Sequence, residues 1–245
     1  MGAGGTWKPE RWLTANDRAR SATSTHLDDL RRALEPVRNA SVDAMLDIGC
    51  GFGGLSRTVG EYVGAQTVHG VDVDAGVAQE VADKGVEFAL ADVGAGGLPF
   101  EAGKFDFLMS LGMLDYLPTF DGAMIEMHRL LAPGGMVLIA LPNLASWHNR
   151  LALMLGYQPR DVEISEERLT GLMPWYRDEP PTGHIHTVTP RAFVALMEHH
   201  GFTLVRLTAG RPGGRSKPRV VKAIDALLSR RITLARRCFY LMRKG

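Results

Sequence analysis

The sequence predicts an α/β fold, a doubly wound parallel sheet in one domain of 245 residues. Two observations predict it. Apolar, β-branched runs alternate with helical patterns from residue 43 to residue 141, the rhythm of a parallel sheet covered on both faces. A glycine-rich turn, GCGFGG, joins the first of these strands to the helix after it.

The elements follow in order. Residues 1–40 form an N-terminal helical cap, with Thr25 and Asp28 spaced like a capping box before HLDDLRRAL. Strands are expected at 43–49, 66–73, 86–91, 104–110 and 135–141, with helices at 53–63, 75–84 and 119–132 between them. The last of these helices should run into LAPGG and stop at Pro133 and Gly134. After Pro142 the rhythm breaks, and 143–188 reads as an insertion over the acceptor side, carrying Trp147, Tyr157, Trp175 and Tyr176. A helix at 190–200 and the strand FTLVRLT (202–208) follow. The link RPGGRSKP, the amphipathic helix KAIDALLSR and the short strand CFYLM (238–242) complete the chain.

Composition bounds the function. Hydrophobic residues make up 45% and charged residues 22%, ordinary globular values that exclude a fibrous or disordered chain. No apolar run approaches the roughly 20 residues of a transmembrane helix, and MGAGGTWKPERW lacks a signal peptide's apolar stretch. Two distant cysteines, Cys50 and Cys238, make no disulfide framework, so a cytoplasmic location is expected. Residues 210–245 hold eleven Lys/Arg and one acid, whereas 1–209 hold seventeen Lys/Arg and twenty-six acids. The basic segment is expected to dock on the acidic body or on a surface; nucleic acid is not expected as a partner, and a homodimer stays open.

The glycine turn satisfies two patterns at once. Gly49, Gly51 and Gly54 match the dinucleotide fingerprint, and Gly49, Gly51 and Gly53 match the turn of S-adenosylmethionine (SAM) enzymes. Asp72, at the end of HGVDV, serves the ribose of either ligand. Asp47 separates them, because a carboxylate two residues before Gly49 would repel a pyrophosphate but suits the cationic methionine end of SAM. Asp92 is placed to accept from an adenine amino group, with Val93 beside it, and Ser110 ends the fourth strand over the methionine end.

Taken in order, DIGCGFG, GVDVD, ADV…LPF, KFDFLMSLGMLDYLP and LLAPGGMVLIALPN resemble the successive motifs of class I SAM-dependent methyltransferases. The resemblance covers about residues 40–142. It implies a Rossmann-like, seven-stranded sheet whose last strand is antiparallel, with SAM as cofactor and S-adenosylhomocysteine (SAH) as product. It further implies close approach of the ligand at Gly49, Gly51 and Gly53, the methionine end at Asp47, ribose at Asp72, and adenine at Asp92 and Val93; Val73 joins this cofactor set, and Cys50, in the same loop, reads as a small buried filler. Many relatives carry Glu-His where this chain has Asp115-Tyr116. That position faces the transferred methyl group, and a tyrosine with its ordinary pKa near 10 orients better than it accepts protons.

On the acceptor side, His184 and His186 in GHIHT should point the same way on an extended segment, and either is a candidate general base for a hydroxyl acceptor. Tyr116 is the orienting group. Asp178 and Glu179 alone give thin support for Mg²⁺, and no zinc set has recognisable spacing, so no metal is expected. His148 reads as a core or capping residue of a lid helix, His199 and His200 as C-terminal dipole partners, His69 as packing, and Met109 and Met113 as core. The region after Pro142 has a looser resemblance to MetW-type proteins and to bacterial methyltransferases of secondary metabolites or glycans. The expected function is SAM-dependent methyl transfer to a small-molecule acceptor, O-methylation of a secondary metabolite or sugar-like compound. N- or C-methylation and a MetW-like accessory protein stay open as alternatives.

Overall fold

The computed structural model describes residues 5–20, 24–176, 180–210 and 219–245. Seven strands form one sheet: β1 (Ala44–Ile48), β2 (Thr67–Asp72), β3 (Glu87–Leu90), β4 (Phe105–Leu111), β5 (Leu131–Pro142), β6 (Phe202–Ala209) and β7 (Arg237–Lys244). Their spatial order is β3-β2-β1-β4-β5-β7-β6, parallel except that β7 runs antiparallel to both neighbours. The chain reverses its direction of travel between β1 and β4, and in such sheets the crevice beyond the carboxyl ends at that point receives the ligand.

Strand alternation builds the two cores. Leu46, Leu108, Ile139 and Tyr240 pack on one face with α5 (Asp121–Leu130) and α7 (Pro190–His199). Met45, Phe107, Ala140 and Phe239 pack on the other with α2 (Ser24–Leu34) and α3 (Gly54–Val63). The remaining helices are α1 (Ala15–Arg20), α4 (Ala78–Asp83), α6 (Trp147–Met154) and α8 (Arg219–Leu228). Among the described residues, no helix is long and apolar enough to cross a membrane.

Two expectations change. The α5 helix stops at Leu130 instead of reaching LAPGG, and β5 begins at once, since the residue before Pro133 is disfavoured in helical backbone. Its first residues bulge: the register with β4 jumps from Leu131 to Met136, and Gly134 takes φ +74°. The capping box is also elsewhere. Thr25 already lies inside α2, whereas Thr14 and Asp17 cap α1 reciprocally: the Asp17 N–H donates to Thr14 Oγ1 at 3.3 Å and the Thr14 N–H to Asp17 Oδ2 at 2.9 Å. The basic C-terminal segment enters the sheet as β7, and its ion pair among the described residues is internal, Arg236 to Asp225 at 2.7 Å. The RPGGRSKP link lies outside the described residues.

The same Asp17 fastens the cap to the sheet. Gly53, at the N-cap of α3, has no side chain to offer, and Asp17 Oδ1 accepts the Gly54 N–H at 3.0 Å in its place. Lys84, buried behind α4, donates to Asp17 Oδ2 and to Glu80 Oε1, both at 2.9 Å. Removing one partner of a buried pair leaves the other's desolvation uncompensated. Lys84→Met should therefore destabilise the chain by about 3 kcal/mol, read as a lower urea midpoint with an unchanged slope; an unchanged midpoint would show that the pair holds nothing.

Candidate active site

The carboxyl ends of β1, β2 and β4 open into one cleft. Its two halves, of about 450 and 480 Å³, meet over Gly49, Asp72, Val73, Met113 and Tyr116. The glycine loop forms the floor. Gly49, Gly51 and Gly53 take φ of +82°, +53° and +78°, a region that costs other residues about 1–2 kcal/mol each. A Cβ on Gly49 would fall 2.8 Å from Met113 Cβ, so the loop and the β4 turn approach as closely as only glycine permits. The Gly49 and Cys50 N–H groups donate to Val71 O at 2.8 and 3.0 Å, and the Gly51 N–H donates to Asp72 Oδ2 at 2.8 Å.

The predicted cofactor residues sit as follows. Asp47 is buried on the floor of the 480 Å³ half, its Oδ2 accepting from Ser56 Oγ at 2.6 Å. Burial pushes its carboxyl up to about 7; the Ser56 hydroxyl works against this and nearby Asp72 adds to it. Cys50 lines the same half with its Sγ turned toward Gly70, and burial pushes its thiol up, so it is filler and not a nucleophile. Asp72 spans both halves, and its Oδ1 accepts from the Asp74 N–H at 3.1 Å. Val73 is 68% exposed in the cleft, an apolar surface offered to a flat ring. Asp92 and Val93 line the 450 Å³ half, where Asp92 Oδ1 accepts from the Gly94 N–H at 2.7 Å. Ser110 does not line the cleft. Its strand continues one residue further than expected, which buries Ser110 completely and leaves Leu111, Gly112 and Met113 as the wall.

The acceptor-side residues part company. Tyr116, 44% exposed on the turn after β4, borders both halves. Neither His184 nor His186 is among the cleft's lining residues. The His184 ring stacks edge-on to Tyr116 at 5.4 Å, with Nε2 2.9 Å from Oδ2 of fully buried Asp115 and Nδ1 3.2 Å from Thr182 Oγ1. His186 Nε2 bonds the Pro118 carbonyl, and its ring packs on Phe120. Both rings thus face the 114–120 turn, as their spacing requires, but from behind it. His148 is buried 3.7 Å from Asp161, His69 packs on Phe100 and Phe105, and His200 lies 2.9 Å from Asp121. Met109 is core, while Met113 is wall. Asp178, Glu179 and the side chain of Trp175 lie outside the described residues; among those described, no three His, Cys, Asp or Glu are grouped to hold a metal. Asp17, which lines the cleft from α1, escaped sequence reasoning, although its T-x-x-D spacing to Thr14 is a capping signal.

Two carboxylates toward one end, an apolar shelf toward the other and a glycine cradle that a single Cβ would fill make a site for a nucleoside with a cationic tail. The residues fit SAM: Asp47 and Asp17 would face its methionine end, Asp72 its ribose, and Val73, Asp92 and Val93 its adenine. Asp72→Ala should weaken SAM by about 1–3 kcal/mol through a lost charge-assisted hydrogen bond; equal affinity in calorimetry would remove Asp72 from the site. The pH behaviour of Asp47 gives a second expectation. Its folded pKa lies above the ordinary 3.8, so the empty fold holds the extra proton, and the contribution of this one group to stability is full below about pH 4 and is lost as pH rises through about 7. A cationic ligand reverses that preference. SAM binding near pH 7 should therefore release a proton, seen as different apparent enthalpies in buffers of different ionisation heat, and Asp47→Asn should abolish the release; equal release in the variant would assign the proton to another group.

A family model described as a methyltransferase domain matches residues 18–207. The chain is 34% identical over 107 residues to the chloroplastic tocopherol O-methyltransferase of Arabidopsis thaliana, covering 40% of this chain and 30% of that protein. It is 30% identical over 118 residues to aklanonic acid methyltransferase DauC of Streptomyces sp. (strain C5), covering 46% of this chain and 54% of DauC. The chain thus spans less than two thirds of either relative's length. The N-methyltransferase NodS of Bradyrhizobium japonicum WM9, solved with SAH, superposes with a TM-score of 0.58 at 12% identity over 97% of this chain and 96% of that one, a likeness of fold. By its match over most of its length and by its seven-stranded sheet, the chain belongs to the class I SAM-dependent methyltransferase family.

Proposed function

We propose that the chain transfers a methyl group from SAM to an oxygen of a small, partly apolar metabolite. The observation that carries this is Tyr116, a phenol exposed where the two halves of the cleft meet. SAM, when bound, supplies a methyl group on a positively charged sulfur, already activated. The chain's work is alignment, with Met113 and Leu111 as an apolar wall and the Tyr116 hydroxyl as the directing group. The names of two relatives, a tocopherol O-methyltransferase and an aklanonic acid methyltransferase, support this reading.

His184 is a positioning residue in this reading. Both its ring nitrogens face oxygen atoms, and its edge fixes the Tyr116 ring. With no histidine among the cleft's described lining, the acceptor oxygen is one that ionises readily, an enol, phenol or carboxyl group, and loses its proton to water. The buried, free cysteines suit a reducing cytoplasm.

The decisive titration is calorimetric, with SAM, SAH and NAD in parallel. Micromolar binding of SAM and SAH with none of NAD is expected. Binding of none would move the chain to the accessory, MetW-like role, and the proposal would fall. His184→Gln should lower kcat about tenfold by loosening Tyr116 and keep the shape of the pH–rate profile; loss of a pH limb would make His184 the base after all.

A further inference from the structure

Leu55 and Leu111 bound the 480 Å³ half of the cleft. Both also wall a small adjoining cavity of about 40 Å³, completed by Leu27 and Leu30 of α2 and Phe239 of β7. Arg237 joins this otherwise largely apolar wall, with His26 as the other polar residue. Arg237 opens β7 opposite Pro142, the last residue of β5, and so stands at the same edge of the sheet as the glycine loop. Alternation along β7 puts it on the face of Phe239 and Leu241, toward α2 and α3, and not on that of Cys238 and Tyr240.

The state of its guanidinium is the second observation. Arg236, one residue before, is bound twice, to Asp225 at 2.7 Å and to the Tyr176 hydroxyl at 2.9 Å. Among the described residues, Arg237 has no side-chain hydrogen bond, ion pair or ring contact, although it is half-buried against leucines. A cation partly removed from water and left unpaired is unfavourable, and an anion at the cavity would relieve it. The planar fork of arginine pairs bidentately with an oxyanion, and a wall that is otherwise mostly leucine and phenylalanine suits a monoanionic carboxylate on an apolar body better than a dianion.

We propose that this cavity is the far end of the acceptor site and that Arg237 pairs there with a carboxylate on the acceptor's apolar body, remote from the oxygen that is methylated. The inference rests on the methyltransferase reading above. It makes the substrate an apolar acid, anchored by its charge and directed at its other end by Tyr116.

The probes are hydrocinnamate and octanoate, each beside its uncharged amide, titrated calorimetrically into the full chain saturated with SAH. Each acid should bind at least about tenfold more tightly than its amide, the yield of one charge-assisted pair. Arg237→Met should erase that preference and Arg237→Lys retain part of it, with SAH affinity the same in all three proteins as the check on folding. Equal binding of acid and amide to the wild type, a preference that survives Arg237→Met, or failure of every probe to bind would each overturn the subsite. A chain that does not bind SAH at all fails before any probe is added, and that result overturns the methyltransferase reading instead.

Discussion

The site depends on one constraint, a backbone that turns left-handed at Gly49, Gly51 and Gly53 and must have its N–H groups held while doing so. Such a loop is not self-supporting, because it has no ladder of its own and its residues have the most conformational freedom to lose. Three partners hold it: the Val71 carbonyl at the end of β2, the Asp72 carboxylate just beyond, and Asp17 from the N-terminal cap. Each also does a second job. The β2 end presents Val73 to the cleft, Asp72 spans its two halves, and Asp17 is locked by Lys84 and Glu80, which ties α1 to α4 across the loop. The cap is therefore part of the cofactor floor.

Charge is distributed to match. Asp17, Asp47 and Asp72 line the 480 Å³ half, where burial, with nearby Asp72 adding to it, pushes the Asp47 carboxyl up to about 7. A cationic ligand end resolves that tension. Past Leu55 and Leu111 lies the side chain of Arg237, without a side-chain partner among the described residues, in a wall whose other polar residue is His26.

The sheet was legible in the sequence because its signals are local. β-branched runs bounded by glycine need no knowledge of neighbours, and each expected strand exists within a few residues, β5 starting earliest. Family membership was legible for the same reason, since its motifs lie at strand ends. What escaped depends on contacts between distant residues. T-x-x-D occurs twice, at Thr14–Asp17 and Thr25–Asp28, and only the first has Lys84 and Gly54 beside it. Ser110 seemed to end its strand, yet pairing with Ile139 carries β4 on to Leu111. His184 and His186 do share a side, as alternation requires, but alternation says nothing of what stands opposite them.

What stands opposite is the 114–120 turn, and this explains the departure from the Glu-His pair of many relatives. Asp115 is fully buried, and a buried carboxylate needs a partner. The next residue is Tyr116, so the partner comes from the lid: His184 Nε2 lies 2.9 Å away, and the Ile185 and His186 N–H groups donate to the Asp115 carbonyl at 2.8 and 3.2 Å. The acid–histidine pair is thereby rebuilt in space from residues far apart in sequence. Its cost is that the imidazole is spent on structure, behind the wall and not in it. Its consequence is that lid and turn are joined, tied again where His186 Nε2 bonds the Pro118 carbonyl, while the Thr182 and Gly183 N–H groups brace the lid internally on Glu163. Tyr116 stands on that turn with its ring against His184, so in the function proposed for it the placement of its hydroxyl depends on the insertion that fastens the turn.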